Sequence, residues 1–300
     1  MLPYFSRSIV GLEIHVDEIR LLHLKKNRKS FYVANVAYIP LPFDAIQDGK
    51  IKQIETVYMA IKNLVEITKT KHCLTVISLP AMSVIMKNIF LSERAVNPFQ
   101  EIELKLKEYL PGITEDLCFD FAKINSDKQN EVLLVASRLE QLNTYVAVSN
   151  EAGLKTKIVD VDCFALMRSV IFSQQEHIEA AAIILDVETT GTQLLIFKNK
   201  EILFKQYLGR MEIELMVSHI KRAIQICLTT YEHFQLKTIY LTNGFHLVSS
   251  TLADELGMNM ILVNPFLALE KSVYLADEKL NGLTSRFSTS LGLAMRSIKG

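Results

Sequence analysis

The sequence predicts an α/β fold built as two duplicated halves. One strand pattern occurs twice, as IVGLEIHVDEIRLLHLKKNRKSFYVANVAYIP over 9–40 and as AAIILDVETTGTQLLIFKNKEILFKQYL over 181–208. Each copy reads as an apolar strand, a tight turn, a second strand, a polar turn and a third strand. Each places an acid at the end of its first strand, Glu13 and Asp186. A helical pattern and then an apolar strand follow each copy. With 300 residues, 49 % of them apolar, the chain is long enough for one large or two ordinary domains with a real core.

Taken in order, residues 8–16, 18–27 and 30–41 read as antiparallel strands, the third ended by Pro40 and Pro42. A helix is predicted over 51–69, because Ile51, Ile54, Val57, Tyr58, Ile61, Leu64, Val65 and Ile67 fall near helical spacing. CLTVISLP, 73–80, is a continuous apolar strand closed by proline, as a buried central strand should be. A strand over 83–91 leads to Asn97-Pro98, an N-cap with proline at the first helical position, and that helix stops at Pro111-Gly112. Phe99, Ile102, Leu106 and Tyr109 form its apolar stripe, while Glu101–Lys105 and Glu103–Lys107 are i,i+4 pairs on its wet face. Strands near 118–125 and 131–137, a helix over 138–152, a strand over 155–161 and a helix over 163–173 follow. Strand–helix–strand–strand–helix–strand makes a small α/β unit inserted into the first half. After the second triple strand come a helix over 211–233, a strand over 237–242, Asn243-Gly244, a helix to 256, a strand over 259–263 and a last helix over 285–298.

Composition excludes several functions. Lys and Arg balance Asp and Glu at 33 each, so no basic field points to nucleic acid. The basic run Lys25, Lys26, Arg28, Lys29 reads as a solvated hairpin tip. Cys73, Cys118, Cys163 and Cys227 form no CxxC pair and read as small apolar residues of a reducing compartment. No apolar run approaches the ~20 residues of a membrane span, and MLPYFSRSIVG has no export signal, so a cytoplasmic location is expected. Phosphate-loop, zinc-protease and nucleophile-elbow motifs are absent. His219 and His233 share a helix face without a third ligand. Asp160 and Asp162 flank Val161 on one face of a strand and read as capping or hydrogen-bonding groups. No catalytic set is found, and no enzymatic activity is expected.

Several segments together resemble one family. They are GLEIHVDEIRLLHL, IELKLKEYLPGITEDLCFDFAKI, EVLLVASRLEQLNTYVAVSNEAGLKTKIVDVDCFALMRS, ILDVETTGTQLLIF, LVNPF and SLGLAMRSI. They are similar to the PilM family of type IV pilus assembly proteins, which are actin-like and related to the cell-division protein FtsA. The resemblance covers nearly the whole chain. It implies the actin-like ATPase fold, with two duplicated ribonuclease-H-like halves, a small α/β insertion in the first and a truncated second half. The implied subdomains are 1–80 plus 156–178, the insertion 81–155, and 179–300, the last lacking most of a nucleotide-covering insertion after Gly209.

In that fold the two hairpin turns close on the phosphates of a nucleotide, and such turns need glycine, small side chains and free backbone N–H groups. The family's first loop usually reads Gly-x-Asp-x-Gly-Ser-Ser. Here Gly11 is kept, Glu13 stands for the aspartate, His15 for the second glycine, and Val16-Asp17 for the serines. In the second loop Asp186 is kept and Glu188 stands for glycine. Asn243-Gly244 stands where a glycine pair is expected. The resemblance therefore implies a vestigial nucleotide cleft at Gly11, Glu13, His15, Asp17, Asp186, Glu188, Asn243 and Gly244, its acids acting as turn residues. No resident metal or cofactor is expected; Mg-ATP would need Glu13, Asp17, Asp186 and Glu188 to converge on the ion. The implied function is a non-catalytic scaffold at the cytoplasmic face of the inner membrane. It would bind the N-terminal cytoplasmic peptide of a single-span PilN-like protein and link it to pilus motor ATPases. The implied peptide groove is lined by Ile85, Lys87, Ile89, Phe99, Ile102 and Tyr109. Two rival readings are a nucleotide-binding actin-like ATPase or filament former, and the cytoplasmic domain of a type II secretion assembly protein.

Overall fold

Two sheets of the same strand order organise the computed structural model, which describes residues 8–27, 30–92, 97–109, 116–124, 130–174, 181–231, 235–243, 252–269 and 284–296. In the first half β1 (Ser8–Ile14), β2 (Glu18–Lys26) and β3 (Phe31–Pro40) form an antiparallel meander. A short ribbon, β4 (Ile46–Gln47) and β5 (Lys50–Ile51), precedes α1 (Ile54–Thr68). The strand β6 (Leu74–Leu79) then adds parallel to β1. This ribbon was not legible in the sequence, because two-residue strands carry no alternation to detect.

The helix α1 buries Val57, Ala60, Ile61, Leu64 and Val65 and ends at Lys69 in a left-handed C-cap. Ile54 and Ile67, expected in its apolar stripe, face solvent. Ile67 lies two residues past Val65 and so ~200° around the helix.

The insertion comprises β7 (Ile85–Phe90), α2 (Pro98–Tyr109), β8 (Leu117–Lys123) and β9 (Glu131–Arg138). Its sheet runs in the order β7-β9-β8, so β7 is an edge strand. It leads into α3 (Leu139–Glu151), β10 (Lys155–Val161) and α4 (Asp162–Ser173). With β10 parallel to β6, the first sheet reads β10-β6-β1-β2-β3.

The second half repeats this plan. The meander β11 (Ala182–Val187), β12 (Gly191–Lys198) and β13 (Glu201–Gly209) is followed by α5 (Ile213–Thr230) and by the parallel strands β14 (Thr238–Thr242) and β15 (Asn259–Leu262). The order is β13-β12-β11-β14-β15, so the two repeated segments belong to separate sheets. Only Arg210, Met211 and Glu212 separate β13 from α5, the short connection expected after Gly209. The halves share apolar core: Ile184, Leu195 and Phe197 of the second sheet join the cluster that holds Val161 of the first sheet and Leu166 and Val170 of α4. Among the described residues no helix is long and apolar enough to cross a membrane.

The final helix, α6 (Ser288–Arg296), lies against β1 and α4 at a distance only glycine permits. A Cβ on Gly292 would sit 1.8 Å from the Ala165 carbonyl oxygen, and one on Gly11 would sit 1.9 Å from that of Ser290. Gly11 is therefore a packing residue in mid-strand, paired with Leu22, and not part of a phosphate turn. This corrects its placement in the cleft. Gly292→Ala should lower stability by about 1–3 kcal/mol or more, since backbone and not a flexible side chain must yield. Thermal unfolding of the variant checks this; an unchanged midpoint would mean the helix can slide.

Candidate functional site

The two repeated turns face one another across a cleft. The first, between β1 and β2, closes with His15 N–H donating to Glu18 O at 2.9 Å. The second, between β11 and β12, closes with Glu188 N–H donating to Gly191 O at 2.8 Å. Those backbone donors are thus used inside the turns. The β1–β2 register sets Glu13 directly opposite Arg20, which places both side chains on one face of the sheet.

Arg20 is only 3 % exposed and organises the site. Its guanidinium contacts three carboxylates. Nε donates to Glu18, Nη1 lies 3.3 Å from Glu13, and Nη1 lies 2.8 Å from Glu188 of the other half. Nδ1 of His15 lies 2.6 Å from Asp17 and 3.0 Å from Glu188. Thr189 donates its hydroxyl to Asp17 across the cleft. Asn243, in a left-handed conformation with φ 58°, donates to Asp186 at 2.7 Å and to Glu188 at 3.3 Å. Thr242 donates to Asp186, and Ser290 of α6 reaches Glu13 at 3.3 Å. Arg286 extends the network outward, 3.4 Å from Glu18 and stacked over the Tyr38 ring.

Burial and charge oppose each other here, and each group resolves the balance differently. Burial acts to raise Glu188, but Arg20 and His15 outweigh it and hold that carboxyl well below the usual range. Burial acts to lower His15, yet Glu188 and Asp17 hold its imidazole well above the ordinary value. Burial dominates at Glu13, which is pushed up to about 7 despite Arg20. It likewise lifts Asp186 to about 6, with Glu188 adding to the effect. The ligand atoms of His15, Asp17 and Glu188 lie within 4.8 Å of one another, a spacing a metal ion could bridge. A protonated His15 directs its Nδ1–H toward both carboxylates, and a metal bound there would take the place of that proton.

A cavity of about 500 Å³ opens beside the network. Glu13, Asp162, Asp186 and Glu188 line its polar side, and Ile46, Phe43, Ala81 and Met82 its apolar side. Asp162 accepts from the Ala81 and Cys163 N–H groups, and burial lifts it to about 6. Asp160 turns elsewhere, to Arg168 at 2.9 Å and Arg296 at 3.7 Å, so the two acids serve at separate places as the hydrogen-bonding groups the sequence predicts.

Of the cleft residues read from sequence, Glu13, His15, Asp17, Asp186, Glu188 and Asn243 come together. Gly11 does not, and Gly244 lies outside the described residues, as does His233. Glu13, Asp17 and Glu188 are partners of the cations Arg20 and His15, and Asp186 accepts from Thr242 and Asn243. Sequence reading missed Arg20, Glu18, Thr189 and Thr242. The alternation Glu18-Ile19-Arg20 was the available signal, since it puts two opposite charges on one strand face.

The expected groove residues separate into three groups. Ile89 and Ile102 are buried with Leu106, Val132 and Leu134 in the insertion's own core, which removes them from any peptide surface. Phe99 is half exposed and packs on Phe121 and Phe119, with ring centroids 4.9 and 6.0 Å away. Ile85, Lys87 and Tyr109 remain at the surface, with Lys87 Nζ 3.5 Å from the Tyr109 ring centroid. Beside Ile85 a cavity of about 200 Å³ lies between the β4–β5 ribbon and the inserted sheet, lined by Asp48, Lys50, Ser83, Leu117 and Arg138.

The Glu13 shift makes a pH prediction. An acid raised in the folded state holds its proton there at pH values where the unfolded chain has lost it. Its contribution favours folding near pH 5 and is lost as pH rises through about 7. Glu13→Gln removes this titration. Its stability relative to wild type should therefore improve by on the order of 1–3 kcal/mol between about pH 5 and about pH 8. Thermal unfolding at both pH values measures it, and a pH-independent difference would show that Glu13 stays ionised.

A family model for the type IV pilus assembly protein PilM matches residues 11–213 and 210–298. Among solved structures, the PilM–PilN type IV pilus biogenesis complex is similar to this chain with a TM-score of 0.83 and 20 % identity, covering 98 % of this chain and 100 % of that one. The cytoplasmic domain of EpsL, an inner-membrane component of the type II secretion system of Vibrio cholerae, gives 0.53 at 11 % identity over 78 % and 82 %. The ethanolamine utilization protein EutJ from Carboxydothermus hydrogenoformans gives 0.54 at 9 % identity over 98 % and 91 %.

Proposed function

The chain belongs to the PilM family of type IV pilus assembly proteins, and from that premise we propose that it is a non-catalytic scaffold of pilus assembly. It binds the N-terminal cytoplasmic tail of a PilN-like inner-membrane protein and links it to the pilus motor ATPases. Its place is the cytoplasmic face of the inner membrane, held there by that partner. The subdomains that serve this role are 1–80 plus 156–178, 81–155 and 179–300.

The carrying observation is the surface formed by Ile85, Lys87 and Tyr109 next to the 200 Å³ cavity. An extended peptide binds an edge strand through its backbone and needs neighbouring pockets for its side chains. The edge strand β7 supplies the first, and the cavity against the β4–β5 ribbon supplies the second. Tyrosine flanked by apolar surface is a residue type that dominates such interfaces. Similarity to a structure of PilM with PilN supports the same partner class.

A nucleoside triphosphate does not fit the cleft. The turn N–H groups of His15 and Glu188 are used internally, and the Glu188 carboxylate stands between the turns. Each carboxylate facing a phosphate costs ~1 kcal/mol or more. This supports a scaffold without ATP, metal or catalytic residues over an ATPase or filament former.

Two measurements test the reading. A labelled N-terminal peptide of a PilN-like protein, followed by fluorescence anisotropy, should bind Ile85→Asp and Tyr109→Ala about tenfold or more weakly than wild type. Glu13→Gln should bind normally, and matched circular dichroism spectra must establish folding first. Normal binding by folded groove variants would place the partner elsewhere. Calorimetry with Mg-ATP should show no binding in the low micromolar range, an affinity that needs ~8 kcal/mol of net contacts.

A further inference from the structure

The two turns are joined by the protein's own charges. Glu188 belongs to the second half, yet two of its three side-chain partners, Arg20 at 2.8 Å and His15 at 3.0 Å, belong to the first. Thr189 next to it donates to Asp17 of the first turn. The bridge is buried, and Glu188 lines the 500 Å³ cavity beside it. Of the two turns, Val16 alone packs against the apolar core that the halves share, so the second turn meets the first mainly through polar groups.

We propose that Arg20, His15 and Glu188 form a built-in latch, in which the chain's own cations hold the two halves closed at the joint between the turns without a bound ligand. A guanidinium suits this role. It is planar and always charged, and its five donors reach carboxylates on both sides of the joint at once. The geometry uses that capacity, since Glu13 and Glu18 hold Arg20 from its own half while Glu188 engages it from the other. His15 repeats the arrangement with Asp17 and Glu188. The latch is therefore two cations shared between carboxylates of both halves. It places side chains where the family resemblance assigns phosphate, so closure of this cleft is a fixed property of the chain.

Hydrogen–deuterium exchange on the full chain tests this. Glu188→Gln keeps the side chain's shape and removes its charge. It should speed exchange about tenfold at residues 15–20, in the other half, while the amides of β6 and β14 stay protected. Arg20→Met should loosen 188–192 in the same way, and Arg20→Lys should fall between, because it keeps the charge and loses the fork. The double variant Arg20→Met with Glu188→Gln should exchange less fast than the product of the two single effects, since the Arg20–Glu188 bridge is already lost in each single. Effects confined to the turn that carries the substitution would overturn the latch. So would single effects that multiply in the double variant, or slower exchange of both wild-type turns on adding Mg-ATP. If Arg20→Met fails to fold, Arg20→Lys and Glu188→Gln carry the same comparison.

Discussion

A guanidinium buried to 3 % exposure cannot exist alone, and much of this molecule is arranged to satisfy Arg20. Desolvating a charge costs several kcal/mol, which only close partners offset, and removing one partner of such a pair typically costs about 3–5 kcal/mol. The partners come from distant parts of the chain. Glu13 lies across the β1–β2 ladder, Glu18 is on the same strand, and Glu188 is in the second half. Each position is constrained by the others. Any one of these acids, met singly, is a surplus charge in a turn; as a set they are the counter-ions of one cation. The acids that make the cleft hostile to phosphate are the same acids that make Arg20 possible.

The second constraint is steric and meets the first at α6. Gly11 and Gly292 let that helix approach β1 and α4 closely enough that a single methyl group would collide with backbone. This approach brings Ser290 to Glu13 and, one turn earlier, Arg286 to Glu18 and Tyr38. Residues 284–296 are thus packed onto the first half and contribute to its ion network. Interiors packed at crystal-like density transmit small displacements and do not absorb them. A shift of α6 would therefore be felt at Glu13 and through it at Arg20.

The fold was largely legible in the sequence because its signals are local. Strand alternation, the Asn97-Pro98 helix start and the apolar run of β6 each sit within a few residues, and the repeated triple strand is visible by inspection. The site was legible only in part. Glu13, His15, Asp17, Asp186 and Glu188 were identified as a cluster, but by analogy with a phosphate cradle, and that frame cast the acids as turn residues of a vestigial nucleotide cleft. Their true relation depends on Arg20, whose importance is set by strand register and by the meeting of two halves, neither of which any window of sequence contains. The groove residues fail for a related reason. The groove was placed by resemblance on a strand and a helix that each also bury one face, so Ile89 and Ile102 proved to be core. Ile85, Lys87 and Tyr109 stay at the surface, Tyr109 despite its place in the apolar stripe predicted for its helix.

The ionic joint and the candidate peptide surface use electrostatics in opposite regimes. The Arg20 bridge is buried, so salt screens it little, and its strength is tied to fold integrity. The Lys87–Tyr109 contact sits at the surface, where a cation over an aromatic face contributes only about 0.5–1 kcal/mol and exchanges readily with solvent or a ligand. A scaffold benefits from this division. The ionic joint proposed to hold the halves together is expensive to disturb, while the surface proposed to meet a partner can give up its contact at small cost. Placing the expensive charges in the cleft and the inexpensive ones on the insertion lets the partner surface change its occupant without changing the frame that carries it.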